Sequence, residues 1–211
     1  MLIAAVIPAY NEEKTIGRVI EVLKKVVVID EIIVVSDGSV DRTAEIAFEL
    51  GAQVIELKQN IGKGGAMKIG IEATNADIIL FLDADLIGLQ EEHIFNLLLP
   101  VIEDKADMTI GVFGGGRVIT DLAHKFAPFL SGQRAVKREI LDGISDLDLT
   151  KFGVEVALTR YVINNNFRIE EVELFNLTHT MKEEKLGIVK GFAARLRMYW
   201  EIAKWVGRLR V

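Results

Sequence analysis

Short apolar runs and helical stripes take turns along the first half of the chain. Ile3–Ile7 is apolar throughout, as a strand buried on both faces would be, and Pro8 and Asn11 close it with turn chemistry. Glu13–Lys25 then carries Ile16, Val19, Ile20 and Leu23 at helical spacing. The same pair of patterns recurs. Glu31–Ser36 reads as a strand, and Asp41–Leu50 as a helix stopped by Gly51. Gln53–Leu57 reads as a strand, and Gly62–Ala73 as a helix behind a glycine-rich turn. Asp77–Leu82 is the fourth strand and Glu91–Ile102 the next helix. Alternation at roughly 25-residue spacing predicts a parallel, doubly wound sheet with helices on both faces. Ligands of such sheets sit beyond the carboxyl ends of the strands. Asn11, Asp37, Asp83 and Asp85 all follow strands directly, so one sheet edge collects them.

After Met108–Phe113 the regular alternation stops, and Gly114-Gly115-Gly116-Arg117 opens a less regular half. Ser131–Leu141 reads as a short strand passing into a helix, Phe152–Val162 as a helix, Arg168–Leu174 as a strand and Gly187–Leu209 as a long helix. No repeat, low-complexity segment or linker interrupts the 211 residues, which predicts one domain, with a nucleotide half over 1–115 and an acceptor half over 116–211.

Composition narrows this picture only at a few points. Cysteine is absent, which removes disulfides, thiolate metal sites and cysteine nucleophiles and suits a reducing cytoplasm. The first residues lack a positive n-region, and their apolar run is too short to span a bilayer. A net charge of −6 argues against general nucleic-acid binding. The charge is uneven: Lys182–Val211 holds eight basic and three acidic residues, a segment of +5 on a remainder of −11. Such a tail suggests an anionic acceptor, a lipid surface or an oligomer contact.

The chemistry gathers at three places. Asp83-Ala84-Asp85 follows an apolar strand. One carboxylate there can accept from a ribose hydroxyl while the other holds a hard divalent cation against a diphosphate. Taken alone, the pattern is short and common, and a solvated acidic turn is its plainer reading. Ser36-Asp37-Gly38-Ser39 offers a carboxylate for the imide N–H of a pyrimidine, with Gly38 allowing close approach. Asp41 reads as a helix N-cap. Asn60-Ile61-Gly62-Lys63-Gly64-Gly65 looks like a phosphate loop but lacks the Walker spacing. A lysine at a helix start can still meet a diphosphate or a base carbonyl, or merely begin a helix.

Together, Ile7-Pro8-Ala9-Tyr10-Asn11-Glu12, Asp37-Gly38-Ser39, Asn60-x-Gly-Lys63-Gly and Asp83-x-Asp85 resemble the family-2 glycosyltransferases of the GT-A fold, closely over about the first 115 residues. The resemblance implies a Rossmann-like α/β domain with a mostly parallel sheet. It implies that Pro8, Ala9, Tyr10 and Glu12 line the nucleoside pocket, that Asp37 and Gly38 meet the base, and that Lys63 contacts base or diphosphate. It also implies that Asp83 and Ala84 lie near the ribose and that Asp85 binds Mg²⁺ or Mn²⁺. Gly114-Gly115-Gly116-Arg117-Val118, Phe152-Gly153-Val154-Glu155-Val156 and the late His179 resemble glucosyl-3-phosphoglycerate synthases and their mannosyl relatives. That likeness gives Arg117 the phosphoglycerate acceptor, Glu155 the donor sugar and His179 a place on the metal. Ile119 between Val118 and Thr120, and a shorter stretch from Arg117 to Ser131, depart from the synthase pattern on the acceptor side.

Each of these residues also has an ordinary reading: Arg117 in an ion pair, Glu155 on a solvated helix face, His179 in a loop. His93 and His124 read as structural or surface residues. In Ser131-Gly132-Gln133-Arg134, Gly132 allows close approach, and Gln133 or Arg134 could contact the diphosphate or acceptor.

The C-terminal helix alternates apolar stripes with Arg195, Arg197, Lys204, Arg208 and Arg210. It suits packing on the domain, a homodimer interface or peripheral contact with an anionic membrane, and charges every few residues rule out a span. The leading expectation is transfer of a hexose from UDP-glucose, or alternatively GDP-mannose, to a small anionic acceptor. The late Glu-Asp base motif typical of many inverting family-2 enzymes is missing, which together with Gly114-Gly115-Gly116-Arg117 favours retention. Glu155, Asp146 and Asp148 are the candidate bases otherwise. Transfer to a polyprenyl phosphate is the second expectation. A nucleotidyltransferase would need a glycine-rich, arginine-bearing loop after the first strand, which is missing, and a non-catalytic binder would take UDP without transfer.

Overall fold

The computed structural model describes residues 1–114, 131–144 and 154–179. The chain divides into two compact units, Met1–Thr178 and His179–Val211. In the first, β1 (Ile3–Ala9), β2 (Glu31–Ser36), β3 (Gln53–Glu56), β4 (Ile78–Phe81), β6 (Met108–Gly114), β7 (Arg134–Lys137) and β8 (Ile169–Phe175) form one sheet in the order β3-β2-β1-β4-β7-β6-β8. Leu86–Ile87 (β5) pairs with the two-residue strand that Thr178 opens (β9). The helices are α1 (Ile16–Leu23), α2 (Thr43–Glu49), α3 (Lys63–Glu72), α4 (Glu91–Ile102), α5 (Arg138–Asp142) and α6 (Val154–Asn164). Among the described residues no helix is long and apolar enough to cross a membrane.

Alternate residues of the central strands feed two cores. Ala5 and Ile7 of β1, with Leu80 of β4, pack under α1 and α4 through Ile16, Ile20, Leu97 and Leu98. Ala4, Val6, Ile79 and Phe81 meet α3, α5 and α6 through Met67, Ile140 and Leu158 on the other face. Apolar runs without polar alternation follow from this, because a strand covered on both faces needs apolar residues at every position. Gly70 lets α3 approach β1: a Cβ there would stand 2.3 Å from Val6 Cγ1.

Two features of the sheet make a crevice. Consecutive strands run outward from β1 to β3, then β4 returns to the opposite side of β1, so the strand order reverses between β1 and β4. The β1–β4 register ends at Val6–Phe81, whereas β1–β2 continues to Ala9–Ser36. Pro8 therefore sits past the last β4 partner, where a missing N–H leaves no ladder position empty. The second feature is β7, antiparallel to both β4 and β6 in an otherwise parallel sheet. Phe81 pairs with Arg134, so the start of β7 lies beside the end of β4.

Candidate active site at the carboxyl rim

Strand ends converge on this crevice. The tips of β1, β2 and β4 bring Pro8-Ala9-Tyr10, Asp37 and Asp83, while β7 brings the residues before it, Ser131-Gly132-Gln133. The first residue of α3 is Lys63, and Glu155 lies in the first turn of α6.

The centre is an ion cluster. Lys63 Nζ lies 2.5 Å from Asp83 Oδ1 and 2.6 Å from Glu155 Oε1. Gln133 Nε2 donates to the other Asp83 oxygen at 2.9 Å. Asp83 and Glu155 side chains are 18% and 14% exposed, and Lys63 37%, so the cluster opens to solvent mainly along the Lys63 side chain. Burial alone would lower the Lys63 ammonium; the charges of Asp83 and Glu155 outweigh it and hold it well above its ordinary value.

Gly132 makes the cluster sterically possible. A Cβ there would fall 2.5 Å from Lys63 Nζ and 2.6 Å from Asp83 Oδ1. Behind it, Arg134 is fully buried, donating from Nε to the Ser131 carbonyl at 2.8 Å and from its Nη1 to Thr159 Oγ1 at 2.6 Å. Burial pushes its guanidinium down to about 10 against the pull of Glu155 and Asp83, which leaves it cationic at neutral pH. Of the pair expected to meet ligand, Gln133 therefore faces the carboxylates, and Arg134 is a buried counter-charge behind them.

Asp37 is 3% exposed. Its Oδ1 accepts the Ile61 N–H at 2.7 Å and its Oδ2 the Gly62 N–H at 2.9 Å. Gly38, at φ 71°, lets the same loop close in: a Cβ would lie 2.6 Å from the Asn60 nitrogen. Beside it, the β1 tip is tied to the β2 tip. Asn11, at φ 55°, donates to Ser39 and accepts from Val40, with the Asn11 N–H donating to Ser39 Oγ at 3.1 Å and the Val40 N–H to Asn11 Oδ1 at 2.9 Å. The Glu12 N–H donates to Thr43 Oγ1 at 2.8 Å. Asp41 accepts the Thr43 N–H at 3.0 Å, so it serves the start of α2 from one residue before the N-cap, Arg42. Tyr10 is 49% exposed at this mouth.

Asp85 is half-buried in the turn between β4 and β5, with Ala84 buried beside it. A carboxylate at a strand end fits a hard divalent cation. Among the described residues no group of three His, Asp or Glu side chains stands ready to hold one. His179 closes β9, and its side chain lies outside the described residues. So do Arg117, Asp146, Asp148, His124 and the helix expected over Gly187–Leu209. His93 is structural: Nδ1 accepts the Gln90 N–H at 3.1 Å, and Nε2 lies 2.9 Å from the Phe175 carbonyl.

Residues 4–157 match the sequence profile of glycosyl transferase family 2. The chain belongs to that family. Curated proteins similar to it include glucosyl-3-phosphoglycerate synthases. That of Mycolicibacterium smegmatis is 30% identical over 190 residues, 74% of this chain and 62% of that protein. That of Mycobacterium tuberculosis is 32% identical over 193 residues, 74% and 59%. The chain thus spans about three fifths of the length of these relatives. The polyprenol monophosphomannose synthase of M. smegmatis is 29% identical over 236 residues, covering 95% of this chain and 85% of that protein. The crystal structure of the M. tuberculosis synthase with Mn²⁺, UDP-glucose and phosphoglyceric acid superposes with a TM-score of 0.73 at 30% identity, over 88% of this chain and 74% of that one. The family-2 fold is therefore GT-A, as the strand-tip motifs predicted.

Proposed function

We propose that this family-2 chain transfers a hexosyl group from a UDP-sugar, UDP-glucose before GDP-mannose, to a hydroxyl of a small phosphate-bearing acceptor such as 3-phosphoglycerate, with retention. The observation that carries this is the Lys63–Asp83–Glu155 cluster at the strand-order reversal, two residues from Asp85. The synthase structures that hold Mn²⁺, UDP-glucose and phosphoglyceric acid support it.

Asp85 and His179 would hold Mg²⁺ or Mn²⁺, whose chemistry is to offset charge on a departing diphosphate. Lys63 turns its ammonium from the carboxylates to that diphosphate. Asp83, released, accepts from ribose hydroxyls, Tyr10 flanks the base, and Glu155 binds donor sugar hydroxyls. Arg117 suits the acceptor phosphate as a fork donor. The anomeric C–O bond breaks, the acceptor oxygen forms the new bond, and its proton passes to the leaving diphosphate oxygen. First-formed product of the opposite anomer by NMR would refute retention.

The decisive test is a thermal-shift series with UDP- and GDP-sugars, with and without Mn²⁺. UDP-glucose plus Mn²⁺ stabilises the wild type, and Asp85→Ala loses the metal-dependent part. Metal-dependent stabilisation that survives the substitution would sink the assignment.

A second acceptor, polyprenyl phosphate, is favoured by one observation: the polyprenol monophosphomannose synthase matches 95% of this chain and 85% of its own length. Both acceptors offer a phosphate, so the donor side is common to the two readings.

A further inference from the structure

We infer that Arg134 is a positioning residue: its guanidinium ties the turn before β7 to the first turn of α6 and so sets Glu155 against the donor sugar. The inference rests on the donor reading above, because that reading places Glu155 on the sugar hydroxyls. Arg134 itself is fully buried, so it acts through its neighbours. It joins two segments with separate nitrogens. Nε donates to the Ser131 carbonyl at 2.8 Å, and Nη1 donates to Thr159 Oγ1 at 2.6 Å. Thr159 is buried too and passes the link on, its hydroxyl donating to the Glu155 carbonyl at 2.8 Å. A helical threonine often bonds back in this way to the carbonyl four residues earlier. Here the same oxygen also receives a buried guanidinium. Glu155 is the second residue of α6, where backbone N–H groups have no partner within the helix, so an added tie to this turn bears on where the side chain starts. The Ser131 end of the fork reaches the other carboxylate. Ser131 Oγ donates to Gln133 Oε1 at 3.1 Å, and Gln133 Nε2 donates to Asp83 at 2.9 Å. One buried side chain thus stands between the segments that hold both carboxylates bridged by Lys63.

The charge of Arg134 serves the same end. When Lys63 turns to the diphosphate, Glu155 and Asp83 keep the attraction of a cation that cannot follow it. Fork and charge can be separated. Lysine keeps the charge but ends in a single nitrogen, which cannot reproduce a fork to two acceptors on different segments. Thr159→Val keeps Arg134 and its charge and removes only the oxygen that relays the contact to Glu155.

The experiment is calorimetric binding of UDP and UDP-glucose, with Mn²⁺, to wild type, Thr159→Val, Thr159→Ser, Arg134→Lys, Glu155→Gln and the Thr159→Val/Glu155→Gln double variant. UDP lacks the sugar that Glu155 meets. Thr159→Val should therefore lose about tenfold in affinity for UDP-glucose and less than about twofold for UDP. Thr159→Ser keeps the hydroxyl and should recover most of that loss. Arg134→Lys should lose at least as much for UDP-glucose as Thr159→Val; should it fail to fold, Thr159→Val carries the test. In the Glu155→Gln background, Thr159→Val should cost less than about twofold more, because a positioning residue has nothing left to position. Equal losses for the two nucleotides in Thr159→Val, losses that simply multiply, or Arg134→Lys binding like wild type would overturn the inference. If the wild type binds neither nucleotide, the donor reading is what has failed. Competitive acylation of lysines without nucleotide then decides this claim alone: Lys63 must react faster in Thr159→Val than in wild type, as a displaced Glu155 frees the ammonium, and equal rates refute it.

Discussion

Gly132 leaves no space for a side chain beside the Lys63–Asp83 pair. It is not one of the glycines at positive φ among the described residues, so alanine there costs space and not backbone strain. The atoms in the way are the ends of flexible side chains, which can shift. Gly132→Ala should leave the melting temperature nearly unchanged and weaken UDP-sugar binding by about tenfold, the scale of an overpacked contact. Unaltered affinity would mean that the ion pair can move aside freely. Position and residue type were legible: Asp37, Asp83 and Asp85 sit where the apolar runs stop, and Lys63 where α3 begins. The partners were not. Asp37 is held by backbone N–H groups, which every residue but proline carries, so no side-chain pattern marks Ile61 and Gly62 as its partners. Arg134 was misleading for a different reason. Arginine is usually exposed, and only the fold shows Thr159 and the Ser131 carbonyl waiting for it in the core.

At the scale of elements, the main strands and helices of the first half lie within two residues of the boundaries the periodicity predicted, except that α1 begins at Ile16, three residues after Glu13; the two-residue β5 was not anticipated. The orientation of β7 did not show. Four residues, Arg134–Lys137, carry no record of which way they run, and antiparallel pairing depends on what lies between β6 and β7. The far ends of β6, β7 and β8 are locked by charge. Asp107, just before β6, receives the Arg168 backbone N–H at 2.9 Å and Nε at 3.0 Å, and its Oδ1 lies 2.8 Å from Lys137 Nζ. Hydrogen bonds from Arg168, helped by Lys137, hold this carboxyl well below the usual carboxylate range. A carboxyl depressed in the folded state stabilises above its unfolded value, about 3.9, and loses that contribution as the pH falls through the folded value. Asp107→Asn should therefore lower the melting temperature at pH 7, and the gap from wild type should narrow as the pH drops below about 4. A gap constant from pH 7 to pH 2 would contradict this account.

Across the whole molecule, the acidic remainder and the basic C-terminal segment set up a choice of acceptor that sequence motifs alone leave open. The donor-side readings stand on residues that the fold brings together; the acceptor-side residue Arg117 lies outside those described. Binding to vesicles and product formation separate the cases. With 3-phosphoglycerate as the acceptor, the full chain should form product without lipid and stay unbound when floated with anionic vesicles at 0.15 M salt. With a polyprenyl phosphate as the acceptor, it should float with those vesicles, detach as salt rises and release UDP only when the lipid is present. The acceptor that drives UDP release in a paired assay decides between them.

Because β7 runs against its neighbours, the chain reaches the ion cluster before entering that strand, whereas β1, β2 and β4 reach the rim only on leaving theirs. Residues 131–133, which carry Gly132 into β7, thus lie outside the sheet ladder, and a change of length there need not shift the pairing of Phe81 with Arg134. A common donor scaffold could in this way be refitted for different acceptors by changes in loop length alone.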